Sequence, residues 1–327
     1  MKSRLNTVTI ATCAGGMCEL YLHYRGLGHY TCAQARKMIL DDLGIGVTHH
    51  VKIPQPDIKA DIVSLSCRAT EDEINRTYSA LLDMLPLTPT HQAKLLQRGF
   101  SDAEIERLQY RSTPAFRYSK LAQQLIEMDY TVEGVPGFYF QKETGMWSMN
   151  FHQRTSGILI PVRSLDGKIV ALQIRLDRPF DEGRKKYLWF SSTQLDKGCS
   201  SGSPVHLVGD PEADTFYVTE GILKSDLAHF LTGKNFIGVP SANQHKNLTP
   251  ILQQLREKNA KLFVEAFDRD KFTNPHVLSG AQKICGLIVQ HGFAVKSLSW
   301  SDKFKGIDDW AFGKMQDKTI RKAKLIA

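Results

Sequence analysis

From about residue 210 onward the chain alternates short strand-like runs with helix-length segments, and no other feature narrows its fold as far. TFYVTEG is followed by a helix through 224–232, NFIGVPSA by a helix through 247–258, and AKLFVEAFDRD by a helix through 277–291, before AVKSLSW closes the series. Such β-α-β-α order with short connections predicts a parallel sheet sandwiched by helices. In parallel α/β sheets the reactive groups gather at the carboxyl ends of the strands. Three acidic elements fall there. Glu220 follows FYVT, and Gly221 behind it permits a tight turn. Asp268 and Asp270 follow LFVEAF and, being two residues apart, share one side of an extended chain. Asp308 and Asp309 stand in KGIDDW, a short distance after the last predicted strand.

Any one of these acids by itself is most simply a solvated loop charge or a helix cap. Their order at successive strand ends is what carries information. Mg²⁺ is a hard cation that takes one or a few carboxylates together with waters and substrate phosphates. Carboxylates from separate strand ends would build such an open site, with coordination left over for a phosphate or a second metal ion. That arrangement suits phosphodiester transfer.

Upstream, residues 71–130 read as a helical module. EDEINRTYSALLDML places Ile74, Tyr78, Leu81, Leu82 and Leu85 on one face. LTPTHQAKLLQRGF supplies a shorter helix closed at Gly99, and Ser101 stands three residues before Glu104, a capping-box spacing. Packing is the simplest role for such a module. Over 131–209 the pattern becomes β-rich. GILIPVRSLDGKIVALQIRLD holds two strand-like runs joined at Asp166-Gly167, a strong hairpin signal, and KKYLWFSS and SPVHLVG continue the series. Arg163, Arg175, Arg178, Arg184, Lys185 and Lys186 cluster there with Tyr187 and Trp189. Guanidinium groups suit phosphate geometry, and aromatic faces stack on unpaired bases; a hairpin with a solvated charged edge is the equal alternative. Pro54 and Pro56 mark a linker over 51–70, before which residues 1–50 form a small N-terminal region. The expected organisation is thus 1–50, a linker over 51–70, a helical module over 71–130, a β-rich basic segment over 131–209 and the alternating domain over 210–327.

The order E-G, then D-x-D, then a late K-G-x-D-D resembles the signature of the toprim domain shared by bacterial primases, topoisomerases and some nucleases. More narrowly, VTEGILKSDLA, FIGVPSA, FDRDKFTNPHV and KGIDDW are similar to the primase-like toprim proteins of bacterial mobile elements and phages. ILIPVRSLDGKIVALQIRLD in turn resembles a strand pair of the basic subdomain that precedes the toprim in bacterial primases. The resemblance implies a multi-domain α/β protein, with a C-terminal toprim parallel sheet and flanking helices, a β-rich subdomain before it and an N-terminal helical region. It implies Mg²⁺ (or Mn²⁺) as cofactor. Asp268 and Asp270 would be the metal-binding pair, Glu220 a general acid/base or a further metal ligand, and Asp308 a supporting acid near the same metals. Glu220, Asp268 and Asp270 would form the catalytic set. Lys305 would face phosphate, and Lys224, Arg163, Arg175, Lys185 and Lys186 join it as candidates for nucleic-acid or nucleotide binding. Arg175 is foremost, because it lies within the strand expected to face the toprim. One departure concerns Lys224. Many toprims carry Asp three residues after the motif glycine; here that place is Lys224, and the nearest acid is Asp226. The replacement either brings a cation to the substrate or signals altered chemistry.

The activity implied is that of a DNA primase-type nucleotidyltransferase. It would synthesise short primers on single-stranded DNA from nucleoside triphosphates in the replication of a mobile element or phage, with a replicative helicase as a further partner. The alternatives are a toprim nuclease, which uses similar acids with water as nucleophile, and a non-catalytic DNA-binding accessory replication protein. The basic β-rich segment favours the primase, and the sequence holds no GxxxxGK[ST] phosphate loop of the kind expected in an ATPase-coupled nuclease. A topoisomerase fits least, since the chain is short for strand passage and no nucleophilic tyrosine domain is identifiable.

Residues 11–45 resemble the tail of a primase zinc ribbon and the helices after it. A structural zinc site wants four ligands, commonly from paired knuckles. Cys13 and Cys18 have no partner pair before them, and Cys32, His23 and His29 are poorly spaced; zinc is not expected. The six cysteines follow no disulfide rhythm and suit a reducing compartment. A net charge of +8 is compatible with a polyanionic partner through counterion release. The longest apolar runs, around Leu262 and Ile284, fall well short of the ~18–20 residues that span a bilayer. MKSRLNTVTIATC lacks the apolar core of a secretory signal. A cytoplasmic protein without a membrane partner is expected.

Overall fold

The computed structural model of the protein describes residues 21, 25–26, 32–42, 65–180 and 185–326. Two units make up the chain, Met1–Asp61 and Ile62–Ala327. In the first, residues Cys32–Asp42 form helix α1, and the Arg25 guanidinium pairs with Asp42 at 2.6 Å. Cys13, Cys18, His23 and His29 lie outside the described residues, as do Arg184 and the linker up to residue 64.

The second unit includes residues 65–70, the last part of the expected linker, and these are bonded into the fold. Leu65 bridges to Gly198, and the Arg68 guanidinium donates to Val170 O and Ser200 O, each at 2.7 Å. Thr70 then caps helix α2 (Glu71–Met84) with a complete capping box, its hydroxyl accepting from Glu73 N–H while the Glu73 carboxylate accepts from Thr70 N–H. Helix α3 (Pro89–Arg98) ends at Gly99 in the left-handed conformation. The capping box expected at Ser101 and Glu104 is only half formed. Ser101 Oγ accepts from Glu104 N–H at 3.2 Å at the start of helix α4 (Asp102–Arg107), but the Glu104 carboxylate turns to Arg107 instead.

The helical stretch packs into cores that it shares with the sheets. It supplies β1 (Arg111–Ser112) to an antiparallel sheet and continues into helix α5 (Tyr118–Glu127). A two-stranded hairpin of β2 (Phe138–Gln141) and β3 (Met146–Met149) follows. The antiparallel sheet runs β1, β4 (Gly157–Arg163), β5 (Ile169–Phe180) and β6 (Lys185–Trp189). Its β4–β5 hairpin turns at Asp166-Gly167 as predicted, with Gly167 at φ 76° and Ser164 N–H donating to Lys168 O at 2.9 Å. The predicted face of α2 (Ile74, Tyr78, Leu81, Leu82) is buried against Leu159, Leu172 and Ile174 of this sheet. Burial of such side chains is worth roughly 1.5–3 kcal/mol each before the entropy of ordering them. Alternation along β4 sends Ile158, Ile160 and Val162 to the opposite face. There they pack with Leu95, Phe100 and Tyr110 from the helical stretch and with Ile222, Leu223 and Leu227 from the C-terminal half.

That half is the parallel α/β sheet expected from the alternation. Its strands are β7 (His206–Val208), β8 (Thr215–Glu220), β9 (Phe236–Val239), β10 (Leu262–Glu265) and β11 (Ala294–Ser297), in the order β11-β10-β8-β9-β7, with β7 antiparallel and the others parallel. Helices α6 (Ile222–Thr232), α7 (Thr249–Arg256), α8 (Pro275–Gln290) and α9 (Ile307–Ile326) cover both faces. Phe216, Val218, Ile237 and Phe263 meet α7 and α8 through Leu252, Leu255, Ile284 and Ile288. On the other face Tyr217, Phe236 and Ala266 meet Ala228 of α6 and Ile307 of α9. Asp308 and Asp309 thus sit in the first turn of a helix. Among the described residues no helix is long and apolar enough to cross a membrane.

Candidate active site

Strands β8 and β10 are in register, Thr215 opposite Leu262 and Val218 opposite Glu265, and Ala266 N–H donates to Val218 O at 2.9 Å. Their carboxyl ends therefore finish side by side, with Glu220 on one and the Asp268–Asp270 turn just beyond the other. Gly221, at φ 97°, lets the chain pass directly from β8 into α6 and puts Lys224 in the first helical turn. The Lys224 ammonium is ion-paired with Asp268 Oδ1.

Beneath the acidic turn, Lys271 and Glu265 form a buried ion pair at 2.7 and 2.8 Å, and Glu265 also accepts Phe267 N–H at 2.7 Å. Two buried charges that satisfy one another in this way hold the chain path from β10 to the aspartates. From the opposite side, residues 298–306 latch onto the turn. Arg269 N–H donates to Lys305 O at 3.0 Å, and its guanidinium donates to Trp300 O at 2.5 Å. This brings Lys305 Nζ to 3.6 Å from Asp270 Oδ2 and 4.0 Å from Asp268 Oδ2. Arg98, at the end of α3, reaches in from the helical stretch and donates to Asp308 Oδ2 at 2.9 Å.

Each aspartate thus has a basic partner from a different segment, yet two oxygens are left over. Asp308 is 2% exposed. Its Oδ1, like Asp270 Oδ1, is buried without a hydrogen-bond partner among the described residues. Burial pushes the Asp308 carboxyl above its ordinary pKa, with Lys224 and Arg98 opposing and Asp309 and Asp268 adding to the rise. Gly306 matters for the side chain it lacks. A methyl group there would press on Asp308 Oδ1 and lie 3.2 Å from Asp268 Oδ1 and 3.3 Å from Lys224 Cε. The space between the carboxylates stays open because this residue is glycine.

The donor set fits a hard divalent cation: carboxylate oxygens from separate segments, with Asp268 Oδ1 and the unpartnered Asp308 Oδ1 beside a gap that one carbon would fill. As the side chains stand, no three His, Cys, Asp or Glu residues among those described converge tightly enough to ligate one ion. The three aspartates are turned toward Lys224, Lys305 and Arg98 instead.

Arg175 lies directly opposite Ile158 and Tyr187, so it shares the sheet face that packs, through Ile158, with α6. Lys185 and Lys186 are exposed on the edge strand β6. Arg163 is placed elsewhere: its guanidinium donates to Gln109 Oε1 at 2.9 Å and to Gly167 O at 3.1 Å, and burial lowers its pKa. Asp226 is turned away from the acids. It accepts Tyr110 O–H at 2.6 Å on Oδ2 and lies 2.9 Å from His206 Nε2 on Oδ1, while His206 Nδ1 accepts Arg163 N–H at 2.9 Å. With Nδ1 accepting, the proton of neutral His206 is on Nε2 and is donated to Asp226. Asp226 is a core anchor, held by Tyr110 and His206. Sequence reasoning missed Arg98, which lies 210 residues from Asp308 along the chain. It also passed over Gly306, although the glycine of K-G-x-D-D was a signal for close approach.

A family described as Domain of unknown function (DUF3854) matches residues 215–318, a stretch that carries every acid of the cluster and excludes Arg98. No curated protein matches the chain in sequence. Among solved structures, the chain is similar to the zinc-binding and RNA polymerase domains of the Aquifex aeolicus primase, with TM-score 0.54 and 13% identity over 94% of this chain and 69% of that one. The likeness is one of fold. It recurs with the RNA polymerase domain of Mycobacterium tuberculosis primase DnaG, at TM-score 0.54 and 17% identity over 76% of this chain and 82% of that one. The same domain in complex with double-stranded DNA gives TM-score 0.53 and 18% identity, over 75% and 80%. The protein therefore resembles DnaG-type primase RNA polymerase domains in architecture.

Proposed function

We propose that this chain is a primase-like nucleotidyltransferase of toprim type that makes short primers on single-stranded DNA from nucleoside triphosphates. The observation that carries the reading is the meeting of Asp268 and Asp308 at Gly306, with Asp270 joined to Asp268 through Lys305, on a fold similar to primase RNA polymerase domains. Asp268, Asp270 and Asp308, with Glu220, would hold Mg²⁺ or Mn²⁺, which when bound supplies charge neutralisation at the triphosphate. Glu220, at the end of β8, receives the proton of the attacking 3′-hydroxyl. The 3′-oxygen bonds to the α-phosphorus as the bond to the bridging oxygen breaks and pyrophosphate leaves. Lys305, exposed beside Asp270, meets the phosphate oxygens. Arg175, Lys185 and Lys186 guide the template by charge, and Tyr187 and Trp189 by stacking. The similarity of VTEGILKSDLA and KGIDDW to mobile-element and phage proteins supports a role in replicating such an element beside a helicase.

The test is template-dependent incorporation of labelled ribo- and deoxyribonucleotides on single-stranded DNA with Mg²⁺ or Mn²⁺. Short products are expected from the native protein, reduced at least about 1000-fold in Asp268→Ala/Asp270→Ala, as befits loss of several kcal/mol of transition-state stabilisation. Template degradation without product would replace the reading with a nuclease, and inactivity in both assays would replace it with a binding role.

A further inference from the structure

Lys224 stands where a positive charge is locally unfavourable. It occupies the first turn of α6, where the peptide dipoles present their positive end, and its side chain is only 16% exposed. Asp268 Oδ1 holds it there. The end of the lysine side chain also borders the gap at Gly306, Cε lying 3.3 Å from where a Cβ would be. Asp268 Oδ1 and the buried, unpartnered Asp308 Oδ1 face the same gap. The other two bases are placed differently. Arg98 binds the far oxygen of Asp308 and leaves Oδ1 toward the gap. Lys305 is 67% exposed and stands outside. Of the three, Lys224 is the base engaged with an oxygen that a metal ion would need.

We propose that Lys224 is a built-in counter-ion of the acidic cluster, which competes with a divalent cation for Asp268 Oδ1, so that metal entry requires its ammonium to leave that oxygen. The inference rests on the metal-site reading above. It explains why the cluster is stable without drawing three carboxylates together: the charge that would otherwise repel is met by a side chain of the same helix that follows Glu220. In a site this enclosed, salt screens the competing charges little. Removing the ammonium abolishes both the competition and its repulsion of the incoming ion.

Lys224→Met keeps the length and the apolar stem of the side chain and deletes the charge. Mn²⁺ alone, titrated into the full chain and followed by electron paramagnetic resonance of the free ion, reads the affinity directly. Lys224→Met is expected to bind Mn²⁺ at least about tenfold more tightly than the native protein, while Lys224→Arg binds no more tightly than native. In chelator the Tm of Lys224→Met should fall below the native value, and Mn²⁺ should raise it more than it raises the native one. Lys224→Gln provides the same comparison should the methionine variant fail to fold. Native-like or weaker Mn²⁺ binding by a folded, uncharged variant overturns the inference and leaves the metal site standing. Native protein and Lys224→Met that both bind Mn²⁺ no better than Asp268→Asn/Asp270→Asn overturn the metal site, and the inference with it.

Discussion

At the scale of single residues, the cluster depends on one missing carbon. Gly306 is buried, and a β-carbon there would meet Asp308 and crowd Asp268 and Lys224. The Arg269–Trp300 and Arg269–Lys305 bonds pin the backbone on either side of the gap, so the strain of an added methyl group would fall on the carboxylates. A displacement of about 1 Å at reacting groups costs on the order of 100-fold in rate. Gly306→Ala is therefore expected to lower metal-dependent nucleotide incorporation by about that factor in a primer-synthesis assay. Its circular dichroism spectrum should match the native one, because the φ of Gly306 is not in the region reserved for glycine.

At the scale of elements, α3 carries Arg98 into the site from one end and is clamped to β5 at the other. Asp177 of β5 receives Lys94 at 2.6 Å, Ser156 O–H at 2.8 Å and His91 Nε2 at 3.0 Å, and His91 Nδ1 is in turn 2.7 Å from Ser112 Oγ on β1. Burial pushes the Asp177 carboxyl up, but the bonds from Lys94, Ser156 and His91 together outweigh it and hold its pKa down to about 2, against an ordinary 3.8. A carboxyl with a lowered folded-state pKa adds stability that is fully present above its unfolded pKa and is lost as pH falls through the folded value. The clamp should accordingly contribute at neutral pH and fade between about pH 4 and about pH 2. Urea midpoints measured from pH 6 down to pH 2 check this, since the native protein should lose more over that window than Asp177→Asn. A parallel decline in the two proteins would remove Asp177 from the account.

At the scale of the whole molecule, the described residues of the second unit fold around cores that ignore the boundaries between helical, antiparallel and parallel segments. Tyr110 from the helical stretch, His206 of β7 and Asp226 of α6 meet in one buried hydrogen-bonded group, closed by the backbone of Arg163 on β4. Burial, with Asp226 beside it, keeps the Tyr110 phenol protonated well above its ordinary pKa. Asp226→Ala would leave two buried donors without an acceptor, at a cost of about 3 kcal/mol. The expected outcome is a lower urea midpoint for the unit, with far-ultraviolet dichroism and tryptophan fluorescence still changing in one coincident transition. Separate transitions for the two probes would show that the shared core does not couple the segments.

The parts of this protein determined by its sequence are those set by neighbours along the chain. Hydrophobic alternation and period specify the parallel sheet and the buried face of α2. Asp166-Gly167 specifies the hairpin, and E-G and D-x-D at strand ends bring Glu220, Asp268 and Asp270 to one edge, because strands of a parallel sheet share their direction. The capping box showed the limit of local reading: Ser101 and Glu104 have the spacing, but a nearby arginine took the carboxylate, and the full box formed at Thr70 and Glu73. What tertiary structure decided was the partner of each charge. Arg163 was drawn into its own hairpin, Asp226 into the core, and Lys224 onto Asp268, although all three were equally available in the sequence. Arg98 joined Asp308 because α3 and α9 pack together, Gly99 standing against Phe312. A charged side chain pairs with whatever packing brings within a few ångströms, and that distance is a property of the folded chain.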